Sequence, residues 1–446
     1  MDVILNKIQS VFHNTEARNK VLFTLFIIFI FRLLASIPLP GLDPQVLTTI
    51  NADNPFSTVL TLTTGGRLNS PSLVVIGLGS YISASILVQL LQTVIPKLEE
   101  LSKEGQRGRM IITQITRYLT VPLSLLQAFF IYSLFNSGQI AANLVGDHSR
   151  TTIIAMVLAI AAGTIFLMWL SEEITERGIG NGSTVIILTG ILAALPGVLP
   201  TDFSNIIATN QTNLLIGFVL GAFAVLMVVV YVGEAIRKIP IQYSSRVRSV
   251  DGGYDLPSEK SHFPLRPNMA GVMPVIFASA VASFPNYIAS YLQTSLVGQE
   301  SRKLYIISKW LMDNVYASNT IYTYIAIEVV FILAFTFMYT IATVKPDEIA
   351  DNLKKSGAFI PGIRPGKFTA KYIQDVLLKL TLVGAVFLAV IAVSPTIARM
   401  FTGGIKLDLF TVIGGTSLLI IVSGLMEIFR QLDSLLLNRS YDKYVI

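Results

Sequence analysis

The sequence predicts an all-α polytopic membrane protein of ten transmembrane helices in two pseudo-symmetric, inverted halves of five, and three observations carry that prediction. Hydrophobic residues make up 52% of the 446-residue chain and charged residues only 13%, a balance far to the apolar side of a soluble domain. The charges gather between long apolar runs instead of spreading along faces. The basic residues also alternate in density from loop to loop, as the positive-inside rule requires of a chain threaded back and forth through a bilayer.

In chain order, Val3, Ile4, Ile8, Val11 and Phe12 fall at helical spacing with Lys7 and Gln9 opposite. This predicts a short helix along the membrane surface, within a cytoplasmic segment 1–20. No small-residue cleavage site follows the first apolar run, so the start does not read as a cleaved signal. The first span is placed at 21–37 and is stopped by Pro38, Pro40 and Gly41, which cannot continue a helix.

The stretch 54–91 is different. Thr58 to Gly66 is too polar and too short to cross a bilayer, which takes about 20 apolar residues in a helix. Asn69, Ser70 and Pro71 then break the chain, and a small-faced span of Ser, Gly and Ile follows over 72–91. A broken segment at membrane depth has to be sheltered by protein or by a watery cavity, so these residues point to a pathway.

Further spans are predicted at 111–135, 151–170, 183–199, 213–233, 269–292, 320–343, 373–393 and 409–429. Residues 21–199 then form an N-terminal half, 200–429 a C-terminal half, and 430–446 a tail. Of the Lys and Arg residues, twenty-four fall on the side of the two termini, Arg117 counted with its loop, and seven on the other side; Arg32 and Lys379 sit at span edges. The termini are therefore expected in the cytoplasm. The net charge of +6 is explained by this topology and calls for no DNA partner. Two cytoplasmic loops, 237–268 and 345–372, carry six basic residues each with several Gly and Pro. They read either as solvated, disordered connectors or as a docking surface for a soluble partner.

The chain has no cysteine, and its histidines, His13, His148 and His262, lie outside the apolar runs, so neither a disulfide nor a metal site is expected. Ion-coupled transporters usually keep charge near midplane. Here Glu328 is the one clear acid well inside a span and is read as hydrated near the outer surface, while Glu234 and Glu427 lie near cytoplasmic ends. No span pairs a Ser or Asp with a base, so no enzyme and no cofactor is expected. Gly178 to Gly182 is not a phosphate loop, because no G-K-S/T follows; it is expected to give a tight turn with a close-packed helix start. The five-and-five layout also suits a secondary transporter for a small solute, which stays as the alternative class.

Several stretches resemble the SecY family of protein-translocon channel subunits: FRLLASIPLPG (Phe31 to Gly41), GLGSYISASILVQLL (Gly77 to Leu91), KEGQRGRMIITQITRYLT (Lys103 to Thr120), EEITERGIGNGSTVII (Glu172 to Ile187), RKIPIQYSSRV (Arg237 to Val247), LRPNMAGVMPVIFASA (Leu265 to Ala280), PDEIADNLKKSGAFIPGIRPGK (Pro346 to Lys367) and GGTSLLI (Gly414 to Ile420). They run in family order over nearly the whole length. The resemblance implies a passive channel that conducts unfolded polypeptides and releases apolar segments sideways into lipid.

It also implies roles for particular residues. The broken segment, about 55–69, corresponds to a plug, with Phe56, Val59, Leu60, Leu62, Gly65, Gly66 and Arg67 in it. The pore constriction corresponds to Ile82, Ile86, Ile187, Ile191, Ile276 and Ile420. A lateral gate is implied between spans two and three on one side and seven and eight on the other, with Ser85 and Gln89 in the seam. Arg246, Arg248, Arg364 and Lys367 correspond to docking positions for the SecA ATPase motor or the ribosome. The implied companions are the SecE and SecG subunits, with signal-sequence-bearing polypeptides as cargo and a cell or thylakoid membrane as location. The chain departs from the family pattern at Ser80, where proline is frequent, so any kink there rests on Gly77 and Gly79. The plug's first half is also unusually rich in Thr.

Overall fold

The computed structural model describes residues 13–41, 72–136, 149–208, 212–243, 261–269, 271–295, 303–316, 321–401 and 414–442. Each predicted span has a helix over it. The first is α1 (Thr15–Ser36), whose start is capped by Asn14 accepting from the Glu16 amide at 3.1 Å, with a Glu16–Lys20 pair at 2.9 Å one turn on. Ile37 is already extended before Pro38, the residue preceding a proline being biased out of the helical region.

Beyond Gly41 the chain leaves the described residues and re-enters at Ser72, which forms an isolated bridge with Pro38; the Leu73 amide donates to the Ile37 carbonyl at 3.1 Å. The described residues on either side of 42–71 therefore meet at one point. Tight turns lead from there into α2 (Gly79–Val94), with Gly77 at φ +60°. That left-handed residue costs least as glycine, in line with the expectation that Gly77 makes the bend. The helix proper begins later than the predicted span, because the turns take up residues 72–78.

The remaining helices are α3 (Pro96–Lys103), α4 (Gln106–Asn136), α5 (Arg150–Arg177), α6 (Gly182–Ala208), α7 (Thr212–Glu234), α8 (Met273–Ser295), α9 (Lys303–Leu311), α10 (Ile321–Thr343), α11 (Pro346–Lys355), α12 (Lys367–Phe401) and α13 (Gly415–Asp442). Spans one to ten are α1, α2, α4, α5, α6, α7, α8, α10, α12 and α13. Four described helical stretches are long and apolar enough to cross a bilayer alone, at Thr15–Ser36, Arg150–Arg177, Tyr322–Lys355 and Lys367–Ile397; shorter apolar stretches lie at Gly182–Pro196, Leu220–Glu234 and Met273–Ala282. Pro122, Pro196, Pro200, Pro285 and Pro395 lie inside helices, where neighbouring helices can satisfy the backbone groups that proline frees.

The two long basic loops do not form disordered connectors over their described residues. β1 (Arg237–Tyr243) pairs antiparallel with β2 (Ser261–Leu265), Arg237 opposite Leu265 and Ile241 opposite Ser261. Its far end pairs with β3 (Ala358–Phe359), giving the order β2-β1-β3. Ile239, Leu265, Ile360 and Ile373 are buried together beneath it, with Ile349 and Leu353 of α11 packed on them. One small hydrophobic core therefore welds both loops to the foot of α12.

Candidate functional site

The six isoleucines singled out from the sequence come together. Ile82 and Ile86 of α2 are buried in one apolar cluster, and Ile191 of α6 and Ile420 of α13 in a second. Ile187 and Ile276 are only partly buried and pack against both clusters, as does Phe335 of α10. The six side chains come from α2, α6, α8 and α13, so both halves contribute to an apolar waist made of two adjoining clusters. Branched aliphatic groups here offer no hydrogen-bond partner, which suits a constriction that must shed water.

Two seams flank this waist. At the front, α2 and α4 touch α8. Ile82 and Ile86 share their cluster with Phe277, Met273 and Ile276 of α8, and Phe277 stacks edge-on against Phe335 and Tyr339 of α10, with ring centres 6.4 and 6.1 Å apart. Gln89 and Ser85 are half-buried on α2, and the Gln89 amide donates to the Ser85 hydroxyl at 3.5 Å, the outer limit for such a bond.

At the back, α6 packs on α13. A Cβ on Gly424 would lie 3.0 Å from the Thr184 methyl, so glycine is what lets α13 come this near. The turn before α6 is the tight structure expected for Gly178 to Gly182. Gly180, at φ +85°, donates its amide to the Gln431 side chain at 2.7 Å and lies against Ile428, both on α13. The Ile179 amide donates to the Thr24 hydroxyl of α1 at 3.0 Å, and the Gly182 amide to the Thr175 hydroxyl at 2.9 Å. A Cβ on Gly182 would fall 1.7 Å from the Ser171 carbonyl oxygen.

Several contributors were invisible in sequence. Ser80 is fully buried and its hydroxyl donates to the Gln127 side-chain oxygen at 2.7 Å, so the position that departs from the family pattern ties α2 to α4. Arg117 makes a two-point contact with Glu172, at 2.9 and 2.8 Å, joining α4 to α5. Arg430 reaches Glu234 at 2.8 Å and the Gly233 carbonyl at 3.2 Å. Arg266, at the exit of β2, is pushed below its usual pKa by burial and by the nearby Arg430. Glu328 differs from expectation: it is buried, 7% exposed, in a stripe with Ile332, Thr336 and Thr340, and is not a hydrated surface carboxylate.

Arg364 and Lys367 are exposed at the tip between β3 and α12. The turn there uses Gly362 and Gly366 at φ +82° and +100°, and the Arg364 carbonyl accepts from the Thr369 hydroxyl at 3.0 Å. Its backbone is thereby fixed while the side chain stands exposed. Arg246 and Arg248 lie outside the described residues, as do Phe56, Val59, Leu60, Leu62, Gly65, Gly66 and Arg67 and the surface helix expected over 3–12.

A helical membrane bundle with an apolar waist between two halves, and a folded basic platform on one side, has the architecture of a polypeptide channel. The chain belongs to the SecY family, whose model matches residues 72–429. It is 39% identical over 437 residues to the protein translocase subunit SecY of Bacillus subtilis, covering 96% of each chain, and 40% identical over 451 residues to that of Streptomyces griseus, covering 97% of this chain and 98% of the other. Among solved structures it superposes on one described as a protein conducting channel with TM-score 0.67 at 19% identity, covering 93% of this chain and 91% of that one. On the Sec61 chain of a canine ribosome–channel complex the TM-score is 0.64 at 18% identity, covering 93% and 91%. At these identities the structural likeness speaks for the fold.

Proposed function

We infer that this chain is the channel-forming subunit of a protein translocase, passing unfolded polypeptides through the apolar waist and releasing apolar segments sideways through the front seam. The observation that carries the reading is the meeting of Ile82, Ile86, Ile187, Ile191, Ile276 and Ile420, drawn from both halves, in a chain of the SecY family. A narrow ring of such side chains excludes water and ions at rest, yet gives a sliding chain nothing to stick to.

The described residues that flank 42–71 meet at the Pro38–Ser72 bridge, and the stretch between them supplies the plug over about 55–69. Residues 21–199 and 200–429 act as the two moving halves. Ser85 and Gln89 line the front seam, and Arg364 and Lys367, with Arg246 and Arg248, form the contact for SecA or the ribosome. SecE and SecG complete the channel. The termini lie in the cytoplasm of a cell membrane or on the equivalent side of a thylakoid membrane. Energy comes from the motor or the ribosome, and this chain works as a passive conduit.

The test is reconstitution of the chain with SecE and SecG in liposomes, adding SecA, ATP and a presecretory protein. The expected outcome is protease protection of the substrate, lost on Arg364→Glu. Absence of protection with the intact chain, where a control translocon gives it, would overturn the reading.

A further inference from the structure

We propose that α9, the nine-residue helix Lys303–Leu311, is an interfacial anchor that lies in the lipid headgroup boundary of the leaflet opposite the basic platform. The placement rests on the membrane topology inferred above. At 1.5 Å per residue the helix is about 13 Å long, far too short to cross a bilayer, so it runs along a surface. It packs against α8, and the turn that follows it, Met312–Tyr316, packs against α8 and α10.

The faces of α9 divide cleanly. Ser308 is 1% exposed and Val315 is buried, with Tyr305 and Met312 half-buried on the same stripe, and this stripe faces the protein. On that stripe the Ser308 hydroxyl donates to the Tyr305 carbonyl at 2.8 Å. Leu304, Ile307 and Trp310 follow at i, i+3 and i+6 on a second stripe, and are 55%, 55% and 59% exposed, with Ile306 a further 55% exposed. Lys303 and Lys309 are exposed as well, Lys303 at the N-terminal end of that stripe and Lys309 between it and the Tyr305 side.

Water is a poor solvent for so much aliphatic surface on so short a helix. A bare hydrocarbon core is equally poor for two ammonium groups and an indole N–H. The pattern of an exposed aliphatic stripe with one Trp and two exposed lysines fits the boundary between acyl chains and phosphates: indole rings favour that depth, and lysine stems lie along apolar surface while their heads reach phosphate. On the next span, Tyr322 and Val330 of α10 are also 73% and 61% exposed. Charge complementarity selects a phospholipid surface over an apolar protein partner, which would leave Lys303 and Lys309 without counter-charge. By holding the outer ends of α8 and α10 at one depth, α9 would keep the α8 side of the front seam in register with the bilayer.

The chain has two tryptophans, which makes the test direct. Trp169, on the exposed side of α5, is the internal control. Trp169→Phe leaves Trp310 as the sole fluorophore, and Trp310→Phe leaves Trp169. Each variant, assembled with its companion subunits in liposomes, is titrated with phosphatidylcholine carrying a nitroxide either near the glycerol or deep in the acyl chain, and separately with aqueous iodide. The expected result is quenching of Trp310 several-fold stronger by the shallow label than by the deep one, with Trp169 also quenched by lipid. Quenching of Trp310 by iodide alone, by the deep label alone, or by no reagent while Trp169 responds to lipid, would overturn the anchor and leave the membrane reading intact. If Trp169 too fails to respond to either lipid label, the membrane topology itself fails, and the anchor with it. Lys303→Glu with Lys309→Glu in the Trp169→Phe background separates phosphate contact from simple burial: the shallow quenching should fall at least two-fold, and unchanged quenching would remove the lysines from the anchor.

Discussion

The front and back seams join the same two halves by different chemistry. At the front, Ile82 and Ile86 meet Met273, Ile276 and Phe277. At the back, Gly424 lets α13 close on α6, and the Gly180 amide is bonded to Gln431. An apolar seam that parts inside a bilayer exposes surface that lipid tails cover about as well as protein does, so it can open at low cost. Parting the back would strand a backbone N–H in a low-dielectric setting, where each unsatisfied group costs about 1–3 kcal/mol. The comparison teaches where parting is costly: on the channel reading proposed above, the back would hold as a pivot and the front would give way.

The largest effect should come from unseating the end of α6 that the back seam depends on. Gly182→Val forces a side chain into the Ser171 carbonyl of α5, a clash with backbone that should cost well beyond the about 1–3 kcal/mol of ordinary overpacking, read as a strong loss of folded, detergent-stable protein in thermal unfolding. Phe277→Ala attacks the front instead. It removes a side chain that is 2% exposed and should loosen local packing by about 3 kcal/mol, the low end for such a truncation because the seam can close on itself, with the folded protein retained, ion leak raised, and precursors with weakened signal sequences translocated more readily. If Phe277→Ala unfolds the chain as Gly182→Val does, the two seams are not mechanically distinct.

Gln431→Leu sharpens the comparison from the back. It deletes the acceptor for Gly180 and should cost about 1–3 kcal/mol, visible as a lower melting temperature, while leaving signal-sequence selectivity untouched. Greater selectivity loss for Gln431→Leu than for Phe277→Ala would invert the assignment of pivot and gate. Arg430→Gln should matter least. The pair with Glu234 is partly exposed, 37% and 58%, and such pairs contribute under about 1 kcal/mol, so neither melting nor leak should move measurably.

Much of this was legible in the sequence for physical reasons. Spans announce themselves because lipid demands long apolar runs, and Pro38 and Gly41 mark the end of α1 as plainly as any local rule can. The Gly178 to Gly182 turn and the bend at Gly77 were readable because glycine carries a backbone meaning of its own. The isoleucine waist was not readable from spacing, since Ile faces lipid or a neighbouring helix in most spans; only the family resemblance selected those six. Long-range bonds were equally silent. Gly180 and Gln431 are separated by 251 positions, and Ser80 and Gln127 by 47, and no local pattern encodes such a meeting. The platform strands escaped notice because β1 contains Pro240 and finds one of its partners, β3, beyond two intervening spans. Glu328 was misjudged because depth along a helix is readable from sequence while the face it turns inward is not.

The most direct measurement uses the absence of cysteine from the chain. A single Cys is placed in turn at Ile82, Ile86, Ile187, Ile191, Ile276 and Ile420, and at Leu158, an exposed residue of α5. Each variant is assembled with its companion subunits around a translocating chain stalled midway and carrying one Cys. Disulfide formation at all six isoleucine positions, with none at Leu158, is the result this account predicts. Crosslinks at Leu158, or none at the six under conditions where a stalled chain is protease-protected, would place the polypeptide path elsewhere and contradict it.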